Sequence, residues 1–344
     1  MEFRVLQYFL AVTREQSISG AAEALHLSQP TLSRQLKDME DELGKQLFIR
    51  SNRKITLTDE GMILRKRAEE IMELVKKAER EISLSDEVVT GDIYIGAGET
   101  DAIRFITKAA YELQTEYPLI RLHISSGDAT DVIERLNKGL IDFGLLFDPA
   151  DLSAYHYLRI PTKDEWGVLM RCDAPLAEKA SICPKDLWDK PLIMSRQQKQ
   201  GSELSLWLEQ DFSLLNIVAT YSLIYNGSLM VEEGMGYAIT LDKLINTSGD
   251  SPLCFRPFQP KLQIGMSLVW KKYQVFTKAA EKFLLKMQEM IYKYGETTGS
   301  LFLRFWLSNA HVFYLKQGFF HAPEHPYTLK ADNQAAGNKI LDAI

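Results

Sequence analysis

The chain has 344 residues, 46% of them hydrophobic, and a formal net charge of −6. That length supports two or three domains with a substantial core, and the acidic balance argues against a surface that binds polyanions without discrimination. No stretch is apolar and long enough to span a bilayer, and residues 1–25 lack the apolar run and cleavage site of a signal peptide. The three cysteines, Cys172, Cys183 and Cys254, have no close spacing, which fits a reducing compartment and incidental thiols; a cytoplasmic protein is expected.

Phe3, Leu6, Phe9, Leu10 and Thr13 recur at helical spacing and predict a first helix. Ser17 or Ser19 can cap a second helix, whose Ala21, Ala22, Ala24 and Leu25 allow a close helix approach. Leu27-Ser28-Gln29-Pro30 reads as a turn, with Ser28 as N-cap and Pro30 in the first turn of a third helix, where its missing N–H needs no partner. Leu32, Leu36, Met39 and Leu43 are expected to face inward, and Gly44 to end the helix. The other faces carry Gln29, Thr31, Ser33, Arg34, Lys37 and Asp38.

This is a helix-turn-helix pattern, and a ribbon over residues 45–54 adds a wing. Gln pairs bidentately with adenine and Arg with guanine, while Ser and Thr serve either. The expected DNA contacts are Ser28, Gln29, Pro30, Thr31, Ser33, Arg34 and Lys37, with Arg50, Arg53 and Lys54 of the wing on phosphates. Charge is local: Lys45, Arg50, Arg53, Lys54, Arg65, Lys66 and Arg67 face only Asp59 and Glu60 over residues 45–67. Binding should weaken with salt, since each phosphate contact releases counterions. A small packing module with a solvated polar face would explain the helices alone, but not turn, proline, wing and basic residues together.

A long helix follows over 59–85. Leu64, Ala68, Ile71, Val75, Ala78 and Ile82 form a heptad seam that suits pairing with a second subunit. Two readers on a two-fold axis predict an inverted-repeat DNA site. Residues 86–91 read as a boundary. Beyond it, strands over 92–96, 119–125 and 141–147 alternate with helices over 101–116 and 130–138, which implies a parallel sheet. Strands are then expected at 166–170, 192–194, 217–220, 237–240 and 266–270, with helices around Trp207, from Tyr225 to Glu233 and from Phe276 to Ile291. Two crossings, near Ile160 and Ile264, would leave a cleft between two lobes.

Residues 1–60 resemble the N-terminal domain of LysR-type transcriptional regulators. Phe9, Ser17, Ala21-Ala22, Leu25, Ser28-Gln29-Pro30, Ser33, Leu36, Glu40, Leu43-Gly44, Leu47-Phe48, Arg50, Leu57-Thr58 and Gly61 carry the match. Glu60 departs from the usual Ala, and Met39 from the common Leu. Residues 91–98, 136–146 and 231–240 are similar to the effector-binding half of the same regulators. The resemblance implies a fold of α/β class with an all-α N-terminal part: a winged helix-turn-helix (1–60), a dimerisation helix and hinge (61–90), and a two-lobed effector domain like that of periplasmic binding proteins. Lobe I would comprise 91–160 with 264–294, and lobe II 161–263. It also implies double-stranded DNA with a dyad-symmetric site, the chain itself as dimer or tetramer, RNA polymerase and a small-molecule effector as partners, no membrane, no cofactor beyond that effector, and no enzymatic activity. The effector would alter the angle between DNA-reading pairs.

Ligands of such sheets bind beyond the carboxyl ends of the strands. By position, the effector is expected to touch Glu99, Thr100, Asp101, Ser125, Ser126 and Phe147 from lobe I, and Ser195, Arg196 and Asn226 from lobe II. Several of these residue types also serve simply as helix and turn caps. Glu99 and Asp101 would repel a carboxylate, which favours a cationic or uncharged effector, while Arg196 could answer an anionic end.

Two other classes are compatible with the two-lobed pattern: a solute-binding protein with a non-functional DNA-binding domain, and an enzyme on the two-lobed fold. Nothing in residues 17–61 looks eroded, and no nucleophile with a base is evident. Gly96-Ala97-Gly98 lacks the third glycine of a dinucleotide fingerprint, since position 101 is Asp. His321 and His325 flank Pro323, which argues against a helical metal pair. The aromatic-rich tail, 295–344, is expected to be an extension without a function of its own.

Overall fold

The computed structural model describes residues 2–50, 54–83, 89–148, 152–198 and 200–298. The chain divides into two compact units, Met1–Met290 and Ile291–Ile344. Of the second, only 291–298 are described, as helix, so most of the expected tail, with His321 and His325, lies outside the described residues.

Three helices open the chain: α1 (Phe3–Glu15), α2 (Ile18–Ala24) and α3 (Gln29–Leu43). Their ends follow local chemistry. Ser17 accepts a hydrogen bond from the Gly20 N–H, so it, not Ser19, caps α2. Ser28 accepts from the Thr31 N–H and caps α3, with Pro30 in the first turn. Gly44 takes φ 64° in the left-handed region that ends the helix. Val5, Leu6, Phe9, Ala21, Ala22, Leu32, Leu36 and Met39 form a dry core. Leu43 does not join it: it stays 42% exposed in the last turn, and Leu47 and Phe48 close the core there instead. Phe3 and Ala24 also lie outside the buried set, since each sits at the end of its helix beyond the cover of its neighbours.

The wing pairs β1 (Phe48–Arg50) antiparallel with β2 (Ile55–Leu57). The Glu40 carboxylate accepts from the Leu47 N–H at 2.7 Å and the Phe48 N–H at 3.2 Å, fixing the wing to α3. Thr58 then caps α4 (Asp59–Ser83) by accepting from the Gly61 N–H at 3.0 Å. Gly61 lies against the Leu47 carbonyl, which a Cβ there would meet at 2.2 Å. The heptad seam of α4 divides. Leu64 and Ala68 pack into the N-terminal core, whereas Ile71 and Ile82 are exposed, as are Met62, Ile63 and Leu74.

The rest is a nine-stranded mixed sheet in two halves. In lobe I, β3 (Gly91–Ala97) lies parallel to β4 (Ile120–Ser126) and β5 (Phe143–Phe147). Helices α5 (Ile103–Glu116) and α6 (Ala129–Asn137) pack on these strands. In lobe II, β7 (Leu192–Ser195) lies parallel to β8 (Ile217–Tyr221) and β9 (Tyr237–Leu241), with α7 (Glu203–Leu208) and α8 (Ile224–Glu232) beside them. Strand β10 (Leu253–Pro257) was not expected from the sequence; it pairs with the far end of β6.

The two halves are joined by β6 (Tyr155–Arg171) and β11 (Gln263–Lys271). Tyr155–Glu165 of β6 pair with β11, and Trp166–Leu169 with β9. The chain therefore crosses between lobes at Glu165/Trp166, not near Ile160. Alternation in 155–165 is masked by polar residues, so that half of the strand was missed. Both lobes are mixed rather than purely parallel, because β6 and β11 run antiparallel to their neighbours. Helix α9 (Lys278–Thr298) begins two residues later than expected and seats Phe283 on Phe143, ring centroids 5.4 Å apart.

α4 is tied to lobe I by charge. The Lys77 ammonium meets Asp142 at 2.8 Å, with side chains 14% and 6% exposed, and also donates to the Gly139 carbonyl at 3.1 Å. The other Asp142 oxygen accepts from the Tyr94 N–H at 2.8 Å. Nearer the solvent, Lys138 meets Glu70 at 2.6 Å and Arg135 meets Glu73 at 3.3 Å.

Two stability predictions follow from this geometry. Gly61→Ala forces α4 away from the Leu47 carbonyl and should cost about 1–3 kcal/mol, read as a lower urea midpoint at unchanged slope. Lys77→Met strands the Asp142 carboxylate in a dry site and should cost roughly 3 kcal/mol, whereas Arg135→Met, at a more exposed pair, should move the midpoint little.

Candidate DNA interface and effector cleft

The outward face of α3 presents Gln29, Pro30, Thr31, Arg34 and Lys37, all exposed. Arg34 is 83% exposed at its side chain and only loosely paired with Asp38, at 4.0 Å. Ser33 is half-buried. Ser28 and Thr31 are partly engaged with one another, their hydroxyls 2.7 Å apart at the start of the helix. That geometry leaves the first turn of α3 leading; Pro30 has no N–H and the Thr31 N–H is taken by Ser28, so the helix macrodipole and the Gln29 N–H are what favour a phosphate there. Lys54 is exposed at the wing. The Arg50 side chain and Arg53 lie outside the described residues. Glu60, the acidic departure at the start of α4, pairs with Lys45 at 3.3 Å. Its pKa is lowered, chiefly by a backbone hydrogen bond and then by Lys45, so one wing cation is answered within the chain.

The second site opens beyond the carboxyl end of β3. A depression of about 390 Å³ is lined by Gly98, Glu99, Thr100, Asp101, Arg104, Ile124 and Ser126 of lobe I, and by Lys243 and Leu244 of lobe II. Of the expected effector contacts, Glu99, Thr100, Asp101 and Ser126 line it; Ser125, Phe147, Ser195, Arg196 and Asn226 do not. Strand alternation explains Ser125. Ile124 and Ser126 face the depression, so Ser125 faces the other way, with its hydroxyl toward the Ile95 carbonyl at 3.4 Å. Phe147 packs against the lobe II core instead. Asn226 is exposed on α8, and Ser195 receives the Gln197 N–H at 3.4 Å.

Arg196 is engaged elsewhere. Its guanidinium meets Asp128 at 2.7 Å, across the cleft at the N-cap of α6. Backbone N–H groups of α6, led by that of Asp131, and then Arg196 hold the Asp128 carboxyl below its usual range. Gln197 adds a second crossing by accepting from the Ala129 N–H at 3.3 Å. Arg196 thus closes the lobes on each other rather than waiting for an anion.

Glu99 makes the complementary crossing. Helix α8 has Leu223 at its N-cap and no side-chain cap of its own. The Glu99 carboxylate reaches over from lobe I and accepts from the Ile224 N–H. Burial raises the Glu99 pKa, and this hydrogen bond offsets part of the rise. Beneath the loop, Thr100 donates to Asp164 at 2.6 Å and accepts from the Ala102 N–H at 3.0 Å. The Asp101 N–H also donates to Asp164, at 3.2 Å. Asp164 lies on β6 beside the crossing between lobes and is 6% exposed, and burial raises its pKa. The Asp101 carboxylate is met by Arg104 at 2.6 Å and Lys243 at 3.8 Å.

Asp128, Asp164, Gln197, Arg104 and Lys243 were not singled out from the sequence. Lys243 could have been, because it follows the carboxyl end of β9 as Glu99 follows that of β3. Arg104 answers Asp101 only three residues away, whereas Asp128, Asp164 and Gln197 act through partners more than sixty residues away, such as Arg196 with Asp128, 68 apart, and Thr100 with Asp164, 64 apart. Among the described residues, no cluster of His, Cys, Asp and Glu could hold a metal ion, and no helix is long and apolar enough to cross a membrane.

Comparison with known proteins recognises both domains. Residues 3–62 match the model of the bacterial regulatory helix-turn-helix proteins of the lysR family, and residues 86–290 match the LysR substrate binding domain. The chain is 28% identical over 299 residues to the Hca operon transcriptional activator HcaR of Escherichia coli (strain K12), covering 85% of this chain and 98% of that protein. It is 29% identical over 241 residues to the HTH-type transcriptional regulator YvbU of Bacillus subtilis (strain 168), covering 70% of this chain and 81% of that one. The crystal structure of CbnR, a LysR family transcriptional regulator, shares the fold, with a TM-score of 0.67 at 18% identity, over 84% of this chain and 99% of that one. With a capped reading helix, a wing and a two-lobed domain in this order, the chain belongs to the LysR family of DNA-binding transcriptional regulators with an effector-binding domain.

Proposed function

We propose that two copies of this chain pair through α4, read a dyad-symmetric DNA site with α3 and the wing, and respond to an uncharged or cationic small molecule between the lobes. Pairing is supported by the exposed Ile63, Ile71, Leu74 and Ile82 along α4, an apolar stripe that one chain leaves in water. Arg34, Lys37, Gln29 and Thr31 are the base and phosphate readers, and Lys54, Arg50 and Arg53 set register on the backbone. Contact with RNA polymerase would turn the geometry of the DNA-bound assembly into a change in transcription.

The single observation that carries the effector reading is the Glu99 carboxylate on the Ile224 N–H. The helix N-terminus, the natural seat for an effector's acid group, is taken by the chain's own acid. A ligand entering there offers a donor to Glu99 on one lobe and an acceptor to α8 on the other. A dicarboxylate would instead bring negative charge against Glu99 and Asp101, while the lining cations Arg104 and Lys243 are met by Asp101 and Arg196 is already paired with Asp128. The ligand shifts the regulator only to the extent that it prefers one lobe arrangement over the other.

Selection of bound duplexes from a random library tests the DNA half. An enriched inverted repeat is expected, and recovery of unpaired or random sequences would rule out the dyad reading. Arg34→Ala should weaken binding to the selected site by about 1–3 kcal/mol and relax choice at one base position; an equal loss on all sequences would make Arg34 a phosphate contact. For the effector half, a thermal-shift screen of small amines, neutral polyols and dicarboxylates should find stabilisers in the first two groups, and Glu99→Gln should weaken the amines most. Stabilisation by dicarboxylates that survives Glu99→Gln would overturn the assignment.

A further inference from the structure

Two of the three cysteines, remote in sequence, meet at the end of lobe II. Strand β10 runs antiparallel to β6 with Leu253 opposite Arg171 and Cys254 opposite Met170. One residue past β6, the Cys172 N–H donates to the Pro252 carbonyl at 2.8 Å, which continues the ladder. Alternation puts Met170 and Cys172 on one face, so Cys172 and Cys254 are diagonal neighbours on that face. The thiols confirm this crossing. Cys254 Sγ donates to the Arg171 carbonyl, the group bonded to the Cys172 nitrogen, at 3.9 Å. Cys172 Sγ donates to the Ser251 carbonyl at 3.6 Å.

We propose that Cys172 and Cys254 are a redox pair that a peroxide-class oxidant converts into an intrachain disulfide linking the end of β6 to β10. Cys172 is exposed and Cys254 is buried, so an oxidant in solution reaches Cys172 first. Burial pushes the Cys254 thiol up, which suits it to the second step rather than the first. In the first step the Cys172 thiolate attacks the peroxide. An S–O bond forms, the O–O bond breaks, and water or an alcohol leaves after taking the thiol proton. In the second, the Cys254 sulfur attacks the Cys172 sulfenic acid. The S–S bond forms, the S–O bond breaks, and the hydroxyl leaves as water with the Cys254 proton. Two electrons pass from the thiols to the peroxide, and a dithiol reductant reverses the change.

A disulfide needs Cα atoms within about 4.4–6.8 Å, and diagonal neighbours lie about 7–8 Å apart, so the strand end closes slightly. Cys172 is placed for that closure, since it lies just beyond β6 and is exposed. The corner is also coupled to the cleft. Arg171 donates to the Glu232 carbonyl at 2.9 Å, at the last turn of α8, the helix whose first residue meets Glu99. The redox pair stands whether or not the effector reading does.

The test uses the full reduced chain, treated with a few equivalents of hydrogen peroxide, then thiol counting and peptide mass mapping without reductant. Accessible plus denaturant-exposed thiols should fall from three to one, with a single linked peptide pair carrying Cys172 and Cys254, and dithiothreitol should restore all three. Cys183→Ser should leave this unchanged, and Cys172→Ser should abolish it. Cys254→Ser and Cys254→Ala should leave Cys172 to oxidise onward to sulfinic acid; if both variants unfold, the mapping of the parent and of Cys172→Ser decides. Linkage through Cys183, a link between chains, over-oxidised Cys172 beside a free Cys254 in the parent, or no loss of thiols would each overturn the pair.

Discussion

Everything beyond the DNA reader hangs on one strand. β6 is continuous for 17 residues and belongs to both halves of the sheet, pairing with β11 before Glu165 and with β9 and β10 after it. The lobes are therefore held by backbone ladders at their junction, and by side chains alone across the cleft. Asp164 sits at that junction, buried, and gathers Thr100 and the Asp101 N–H. A carboxylate in so dry a place is costly to ionise, which is why its pKa rises and why it needs both donors. The loop after β3 cannot move without disturbing this group, so Glu99 to Asp101 are anchored to the strand that the two lobes share.

Polar side chains bridge the cleft. Glu99 on the start of α8, Arg196 on Asp128 and Gln197 on the start of α6 form a reciprocal set: each lobe lends a polar side chain to the other lobe's helix N-terminus. The Glu99 and Arg196 bonds are charge-assisted and the Gln197 bond joins neutral groups, and each uses groups that one lobe alone would leave to water. Together with Phe147 of lobe I, which packs against the lobe II core, they hold the lobes in the observed arrangement. Thr100 has a narrower part in this. Its hydroxyl is satisfied by Asp164 and the Ala102 N–H, so it holds the loop in shape and has little left to offer a ligand.

α4 carries the link between reader and sensor. Its first turns belong to the N-terminal core through Leu64 and Ala68, and its later turns are fastened to lobe I through Lys77 and Asp142. The remaining apolar positions face out. One helix is thus shared among a DNA-binding core, a sensor lobe and an exposed stripe, and a shift in any of these must be felt along its length.

Much of this was legible in the sequence because it is local. Caps act within four residues, so Ser17, Ser28 and Gly44 announced the ends of their helices, and the 3.6-residue period of Leu32, Leu36 and Met39 gave the inner face of α3. Strand–helix alternation gave the two lobes and placed the loop of Glu99 to Asp101 at a carboxyl end. What the sequence could not supply was pairing at a distance. The polar first half of β6, strand β10, Asp164 under Thr100, Arg196 on Asp128, and Cys172 beside Cys254 depend on residues brought together from 64 to more than 80 positions apart, and Glu99 meets Ile224 across 125. Short-range periodicity and capping are written into neighbouring side chains; which carboxylate meets which helix end is decided only when two sheets share a strand and close on each other.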